Sequence, residues 1–514
     1  MRDVSCSLVR IGDIEVAEGN LECARTLFSE SLEISRKLAE QLNTPDSLRD
    51  VFLSLERNGD IEEAEGNLGC ARTMYTESLE ISRKLAEQLN TPGSLRDVSC
   101  SLYKIGGIEQ TEGNLGCARS LYSEGLEIRR KLKEQLNTPG SLRDVSVFLE
   151  GLGDIEALEG NLECARTLYT ESLEISRKVA EQLNTPESLS DVSISLDRIG
   201  FIDQIEGNLD MARILYAESL EISRKLVEQF NTPQSLQGLS LSLVSIGGIE
   251  QAEGNLDTAR TLYSEGLEIR RKLAEQLNTP ESLRDVSCSL VSIGGIEKAE
   301  GNLGAARTLF AESLDINKKL TETLNTPESL RDLSNSLDRI GDIENVDVNF
   351  DSARILFAES LNINRKLAET LNTPESFRAV TLSLGRNGRL EQVKGNLDSA
   401  RILFADGFEI ARRLAEQLTT PLYINEKIWI LQQLAHIQIL LKENQTAFNL
   451  LKESESDVDE LQSKCSGDEN HLDTVATYWE RRTEVEEKLK MPEAKNSKAK
   501  AEAIRNETEN KQPK

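Results

Sequence analysis

The sequence predicts an all-α protein, an α-solenoid of helix hairpins that repeat every 47 residues. Three observations carry this. Prolines stand at Pro45, Pro92, Pro139, Pro186, Pro233, Pro280, Pro327, Pro374 and Pro421, always 47 apart. Glycines keep the same interval from Gly12 to Gly388, and alanines from Ala24 to Ala400. Between these markers apolar residues recur at helical spacing. A fixed period of this length means one supersecondary unit stacked on copies of itself.

Residues 45–91 show the unit. Thr44-Pro45 is a helix start, because threonine caps and proline is tolerated at the first helical position. Asp46 follows in the first turn, where the helix dipole favours an acid. Leu48, Val51, Phe52, Leu55 and Ile61 form the apolar stripe of the first helix. Gly66-Asn67 breaks it. A second helix starts near Leu68 and carries Ala71, Met74, Tyr75, Leu79, Ile81, Leu85 and Leu89. Asn90-Thr91-Pro92 ends it and opens the next unit. One such hairpin cannot bury its apolar stripe alone, so its neighbours must cover it.

The copies fray at both ends. Met1 enters part-way along a first helix without the Asn-Thr-Pro start, which fits either an uncapped edge or a piece of a longer array. After Pro421 the pattern degenerates, yet Leu431 and Ala447 stay in phase with Leu384 and Ala400. Residues 1–420 are therefore expected to hold nine repeats, the first truncated at its N-terminus. Residues 421–465 are expected to form a divergent tenth, capping repeat. A C-terminal helix is expected over 466–490, on Leu472, Val475, Tyr478, Trp479, Val485 and Leu489. The polar stretch 491–514 is expected to be a disordered tail.

Composition narrows the function. The chain holds 88 acidic against 60 basic residues, a net charge of -28. Such a chain repels nucleic-acid phosphates and anionic lipid heads, so neither nucleic acid nor a membrane is an expected partner. A basic or neutral protein or peptide is expected, although the same charge also serves plain solubility. No apolar run approaches the length of a membrane span, and the opening MRDVSCSLVR has no signal-peptide pattern, so the cytoplasm is the expected compartment.

Chemistry-bearing motifs are scarce. The eight cysteines include no C-x-x-C pair, and the only histidines are His436 and His471. Cys465 and His471 stand six apart without a third partner, and no phosphate-binding glycine motif occurs. No catalytic, cofactor-binding or metal-binding residues are expected. Cys23, Cys70, Cys117 and Cys164 share one repeat column with Met211, Thr258, Ala305, Ser352 and Ser399, which is expected to be a buried packing site.

Residues 12–34, GDIEVAEGNLECARTLFSESLEI, resemble a tetratricopeptide repeat. The resemblance rests on Gly12 in the first helix with Ala24 and Phe28 in the second; Ser31 stands where that family usually has alanine. Small residues at Gly12 and Ala24 let the two helices approach, and Phe28 fills the space beyond. Leu8 and Glu15 replace the family's first-helix aromatics, and both helices are longer than in a 34-residue unit. Long units of this sort are similar to those of kinesin light chains and bacterial tetratricopeptide regulators. The resemblance implies a right-handed superhelix whose first helices line a concave groove that binds a peptide or a partner helix. A carboxylate clamp of the family's lysine-and-asparagine kind is not expected, because the corresponding columns here carry Asp, Glu and Gly.

Nine copies in one chain allow columns to be compared. Arg25 recurs through Arg72, Arg119, Arg166, Arg213, Arg260, Arg307 and Arg354 to Arg401, opposite an acid that recurs from Glu15 to Glu391. Either an acidic ligand or an ion pair within each hairpin accounts for this, and the ion pair is expected. Three first-helix columns vary. They supply the candidate groove residues Glu56, Asp60, Glu63, Tyr103, Gln110, Glu150, Asp154, Asp197, Phe201, Gln204, Gln251, Asp338 and Asp342. Their variation fits a mixed acidic and apolar groove with Tyr103 and Phe201 as anchors, or unconstrained drift of a surface. The expected function is a non-catalytic protein-interaction scaffold. The alternative is a sensor or regulatory subunit of a bacterial effector system that partners a protease or nucleotide-binding switch.

Overall fold

The structure, a computed structural model, describes residues 1–17, 20–418, 420–464 and 469–509. All its regular elements are helices, packed as hairpins in chain order. The chain forms two compact units, Met1–Thr326 and Pro327–Lys514.

The first unit holds seven hairpins. They are α1 (Arg2–Ala17) with α2 (Leu21–Leu42), α3 (Pro45–Ala64) with α4 (Leu68–Leu89), and α5 (Pro92–Thr111) with α6 (Leu115–Leu136). Next come α7 (Pro139–Leu158) with α8 (Leu162–Leu183), and α9 (Pro186–Ile205) with α10 (Leu209–Phe230). The last two are α11 (Pro233–Ala252) with α12 (Leu256–Leu277), and α13 (Pro280–Ala299) with α14 (Leu303–Leu324). The second unit continues with α15 (Pro327–Val346), α16 (Phe350–Leu371), α17 (Pro374–Val393) and α18 (Leu397–Gln417). The capping segment follows as α19 (Pro421–Leu440), α20 (Asn444–Glu453), α21 (Glu455–Lys464), α22 (Glu469–Lys488) and α23 (Ala494–Glu509).

The punctuation of the sequence acts as its chemistry requires. Asn90 takes the left-handed conformation at φ 45° and its N–H closes on the Ala86 carbonyl, which ends α4. Thr91 then caps α5 reciprocally with Ser94, and Pro92 fills the first helical position, where no N–H is needed. Within a hairpin the turn passes through Gly66 at φ 80°, a conformation natural to glycine. The eighth copy places Val348 there, at φ 64°.

Packing shows why the hairpins cannot stand alone. One core joins Ala71, Tyr75 and Leu79 of α4 to Val98, Leu102, Ile105 and Ile108 of α5. Another joins Ala165, Tyr169 and Leu173 of α8 to Val192, Leu196, Ile199 and Ile202 of α9. A second helix is thus covered by the following hairpin, and each Leu or Ile so buried contributes about 1.5–3 kcal/mol. Within the first unit the array curls far enough for the Thr326 side chain to lie against Gly66.

The arginine ladder crosses between hairpins rather than within them. Arg72 reaches Glu109 at 2.9 Å, Arg119 reaches Glu156 at 3.0 Å, and Arg260 reaches Glu297 at 2.8 Å, each in the next copy. The same acids anchor the turn of their own hairpin: Asn114 donates to Glu109 at 2.8 Å and Asn302 to Glu297 at 2.9 Å. The expected ion pair exists, but its partner is the neighbouring unit, because the stacking of second helix on the following first helix brings those side chains together.

Two further expectations are corrected. Cys23, Cys70, Cys117 and Cys164 are exposed free thiols, not buried. Each directly precedes the fully buried Ala24, Ala71, Ala118 or Ala165, and a helix turns by about 100° per residue, which carries the cysteine off the buried stripe. The stretch 491–514 is not a disordered tail over Ala494–Glu509, which forms α23. Ala494, Ser497, Ala501 and Ile504 are buried at three- and four-residue spacing, a stripe of mostly small side chains that is easily overlooked in a polar sequence. Residues 510–514 and Cys465 lie outside the described residues. The tenth repeat is also divergent in form, since its second helix is split into α20 and α21 at Ser454.

Candidate functional site

The three variable columns lie on the first helices. Their side chains meet the first helix of the next hairpin and the second helix of their own. Most of the candidate polar groups are already partnered.

In the second hairpin, buried Glu56 accepts from Ser78 on α4 and, at 3.0 Å, from Ser101 on α5. Lys104 of α5 reaches back to Glu56 at 3.2 Å and also to Asp60. The Tyr75 hydroxyl of α4 donates to Asp60 at 2.7 Å and to Glu63 at 2.9 Å. Burial pushes the Glu63 carboxyl above its ordinary range.

The fourth and fifth hairpins repeat the arrangement. Glu150 accepts from Ser172 at 3.0 Å and Ser195 at 2.9 Å, while Asp154 accepts from Tyr169 at 2.7 Å. Arg198 of α9 pairs with Asp154 and approaches Glu150 at 3.7 Å. Burial raises the Glu150 carboxyl and the Arg198 charge lowers it. In the second unit Arg386 of α17 holds buried Asp338 at 2.8 Å and approaches Asp342 at 3.9 Å.

These columns therefore do not drift freely. An acid in the Glu56 column is answered by a base 48 residues later, in the next first helix: Lys104, Arg198 and Arg386. The bases were missed as site residues, and the pairing at that separation was the signal that could have revealed them. The third column has its own rule. Gln110, Gln204 and Gln251 accept from the hydroxyls of Tyr122, Tyr216 and Tyr263 at 3.1, 3.2 and 3.0 Å.

Three candidates remain apart from this scheme. Tyr103 belongs to an aromatic cluster, its ring centroid 5.3 Å from those of Tyr122 and Phe148, yet it stays 37% exposed. Burial raises its phenol, and the charge of Arg198, two hairpins on, also reaches it. Phe201, in the Asp60 column of the first helices, is 53% exposed. Asp197, one turn earlier on α9, stands in the Glu56 column, but Ser245 occupies the position of the answering base. Its Oδ1 is buried without a hydrogen-bond partner. Burial pushes the carboxyl up to about 7, opposed by a bond from Ser219.

The helix contact inside each hairpin decides the fold type. A Cβ added to Gly153 would lie 2.7 Å from Cδ1 of Tyr169, and one added to Gly341 would lie 2.8 Å from Cδ1 of Phe357. The glycine admits the aromatic ring between the two helices, beside an alanine that is fully buried. The fold is that of a tetratricopeptide-type repeat array.

No protein-family model and no curated protein matches the sequence of the array. Solved structures resemble it in fold. The array is similar to a Rap protein complexed with Competence and Sporulation Factor, at 14% identity and a TM-score of 0.47, over 81% of this chain and 100% of that one. It is similar to the apo form of RapI at 13% identity and 0.48, over 80% and 99%. BtubC (BKLC) from P. vanneervenii aligns at 20% identity and 0.39, over 49% and 92%.

Among the described residues no helix is long and apolar enough to cross a membrane, and no cluster of His, Cys, Asp and Glu is placed to hold a metal ion.

Proposed function

We propose that the array is a non-catalytic interaction module that captures a protein segment, a peptide or partner helix, on the face formed by its first helices. The supporting observation is the exposure of Phe201 and Tyr103 on a face whose other candidate groups are mostly bonded to one another. An exposed aromatic held by a rigid scaffold is a usual energetic anchor of an interface. The acidic balance of the chain favours a basic or neutral partner over nucleic acid or lipid. Cys6, Cys23, Cys70, Cys117 and Cys164 are exposed thiols, which fits a reducing compartment such as the cytoplasm.

Panning a random displayed-peptide library against the full chain tests this. Recovered peptides should bind the Phe201→Ala protein about tenfold more weakly or worse, a loss of the size that hot-spot truncation gives. Recovery of no peptide, or of peptides indifferent to both Phe201→Ala and Tyr103→Ala, would overturn the proposal.

A further inference from the structure

Within the first unit, carboxylates on one first helix recur opposite a cation on the next. Asp13 faces Arg57 at 3.1 Å, Glu56 and Asp60 face Lys104, and Glu150 and Asp154 face Arg198. In the second unit the short acid Asp338 is held by Arg386 at 2.8 Å, which shows that an aspartate in this column is within reach of an arginine 48 residues on. The third and sixth hairpins carry neither charge: Tyr103 and Gly107 are followed by Gly151, and Val244 and Gly248 by Ser292.

The junction between α9 and α11 keeps half of the pair. Asp197 is present, its Oδ1 buried and unpartnered, and Ser245 replaces the cation. The second acid is replaced by Phe201, which projects into solvent. Gly248 adds further room: a Cβ there would have only the Gln204 amide at 3.7 Å and the Tyr263 hydroxyl at 3.8 Å near it. Beyond a bond from Ser219 this carboxyl has no partner, and its ionised form is unfavourable there unless a cation joins it. Serine and glycine leave space where lysine or arginine stands at the equivalent junctions.

We infer that this junction is a socket for a basic side chain of the partner, in which an arginine or lysine of the bound segment enters over Ser245 to meet the Asp197 carboxylate while a neighbouring apolar residue packs on Phe201. The socket rests on the interaction reading above and names the chemistry of what that face takes. The partner's cation occupies the place that Lys104, Arg198 and Arg386 fill from within the chain. Arginine suits it best, because its planar fork can satisfy Oδ1 and the neighbouring oxygen together.

The test compares peptides recovered from a random displayed library by three full-length proteins: the wild type, Asp197→Asn and Ser245→Arg. The second variant recreates the Asp338–Arg386 pair and fills the socket from inside. Wild-type pools should be enriched in arginine or lysine next to an apolar residue, and both variants should lose the basic enrichment. Replacing the arginine of the best wild-type peptide by citrulline, its neutral near-isostere, should weaken binding about tenfold, as loss of a charge-assisted bond does. Ser245→Arg should also melt higher than the wild type. Peptides recovered without basic enrichment, or with enrichment undiminished in both variants, overturn the socket and leave the interaction reading standing. Recovery of no peptide by any of the three proteins overturns both.

Discussion

The Lys104 ammonium of the third hairpin lies 3.2 Å from the Glu56 carboxylate of the second, and it also binds Asp60 on the same helix. Burial lowers the Lys104 pKa, but the two carboxylates raise it further, so the lysine is held charged. The contact joins two hairpins through a half-buried cation, and removing that cation leaves two acids facing each other.

Lys104→Met should therefore destabilise the chain by about 1–3 kcal/mol, less than the roughly 3–5 kcal/mol of a fully buried pair because Lys104 and Asp60 are partly exposed. Adding Glu56→Gln to that variant should recover part of the loss, because the stranded charge disappears. Thermal and denaturant unfolding of the two single variants and the double variant measure the coupling. Strictly additive losses would show that the pair does not join the hairpins.

Asp197 gives a pH dependence of definite sign. Its folded carboxyl titrates near about 7, above the ordinary value of 3.8, because burial disfavours its charge. The folded chain therefore holds this proton more tightly than the unfolded chain. The contribution to stability is complete below pH 4 and is lost as pH rises through 7. Asp197→Asn should melt close to the wild type below pH 4 and increasingly above it as pH rises to 8. A gap that shrinks as pH rises would contradict the assignment.

Glycines of the chain differ in what surrounds them. Gly153→Ala would drive a methyl into Tyr169 and should cost about 1–3 kcal/mol, the usual penalty for overpacking. Gly116, near the start of α6, has no heavy atom within 4 Å of an added Cβ. Gly116→Ala should be neutral or stabilising by about 0.5–1 kcal/mol, since alanine favours helix. Melting temperatures that fail to separate the two variants would refute the close-packed hairpin.

Val348 sits at φ 64° in the turn where other copies have glycine. A branched side chain in the left-handed region is strained by about 1–2 kcal/mol. Val348→Gly should relieve roughly that amount, less the greater backbone freedom that glycine brings to the unfolded chain. A melting temperature unchanged or lowered would show that the turn does not strain the valine.

Deletion of residues 494–514 should uncover the capping core. Lys500 lies 3.7 Å over the Trp479 ring, and Ser497 donates to buried Glu486 at 2.7 Å. The Arg482–Glu486 pair at 2.6 Å would lose that cover. The truncated chain should melt lower and show red-shifted tryptophan emission. An unchanged spectrum and melting curve would mean that α23 is dispensable.

The fold was legible because the chain states its unit nine times. Proline, asparagine and glycine recur at fixed places, and each has a local reason for its position: capping, a left-handed residue, a turn. Helix ends and the Gly–aromatic contact follow from neighbours close in sequence. The stripe of α23 was not legible, since alanine and serine carry little hydropathy signal; only the surface of α22 makes them core.

The sequence by itself determined the period, the helices and the residues that shape each hairpin, because those depend on backbone preference and local packing. Only the tertiary structure decided which side chains meet across copies. It paired Arg72 with the acid of the following unit and set Lys104 against Glu56. It also left Asp197 without a cation opposite Ser245. The physical reason is that charge pairing depends on distance in space. In a stacked array the residues 37 to 48 positions apart, as Arg72 is from Glu109 and Glu56 from Lys104, are the ones that touch.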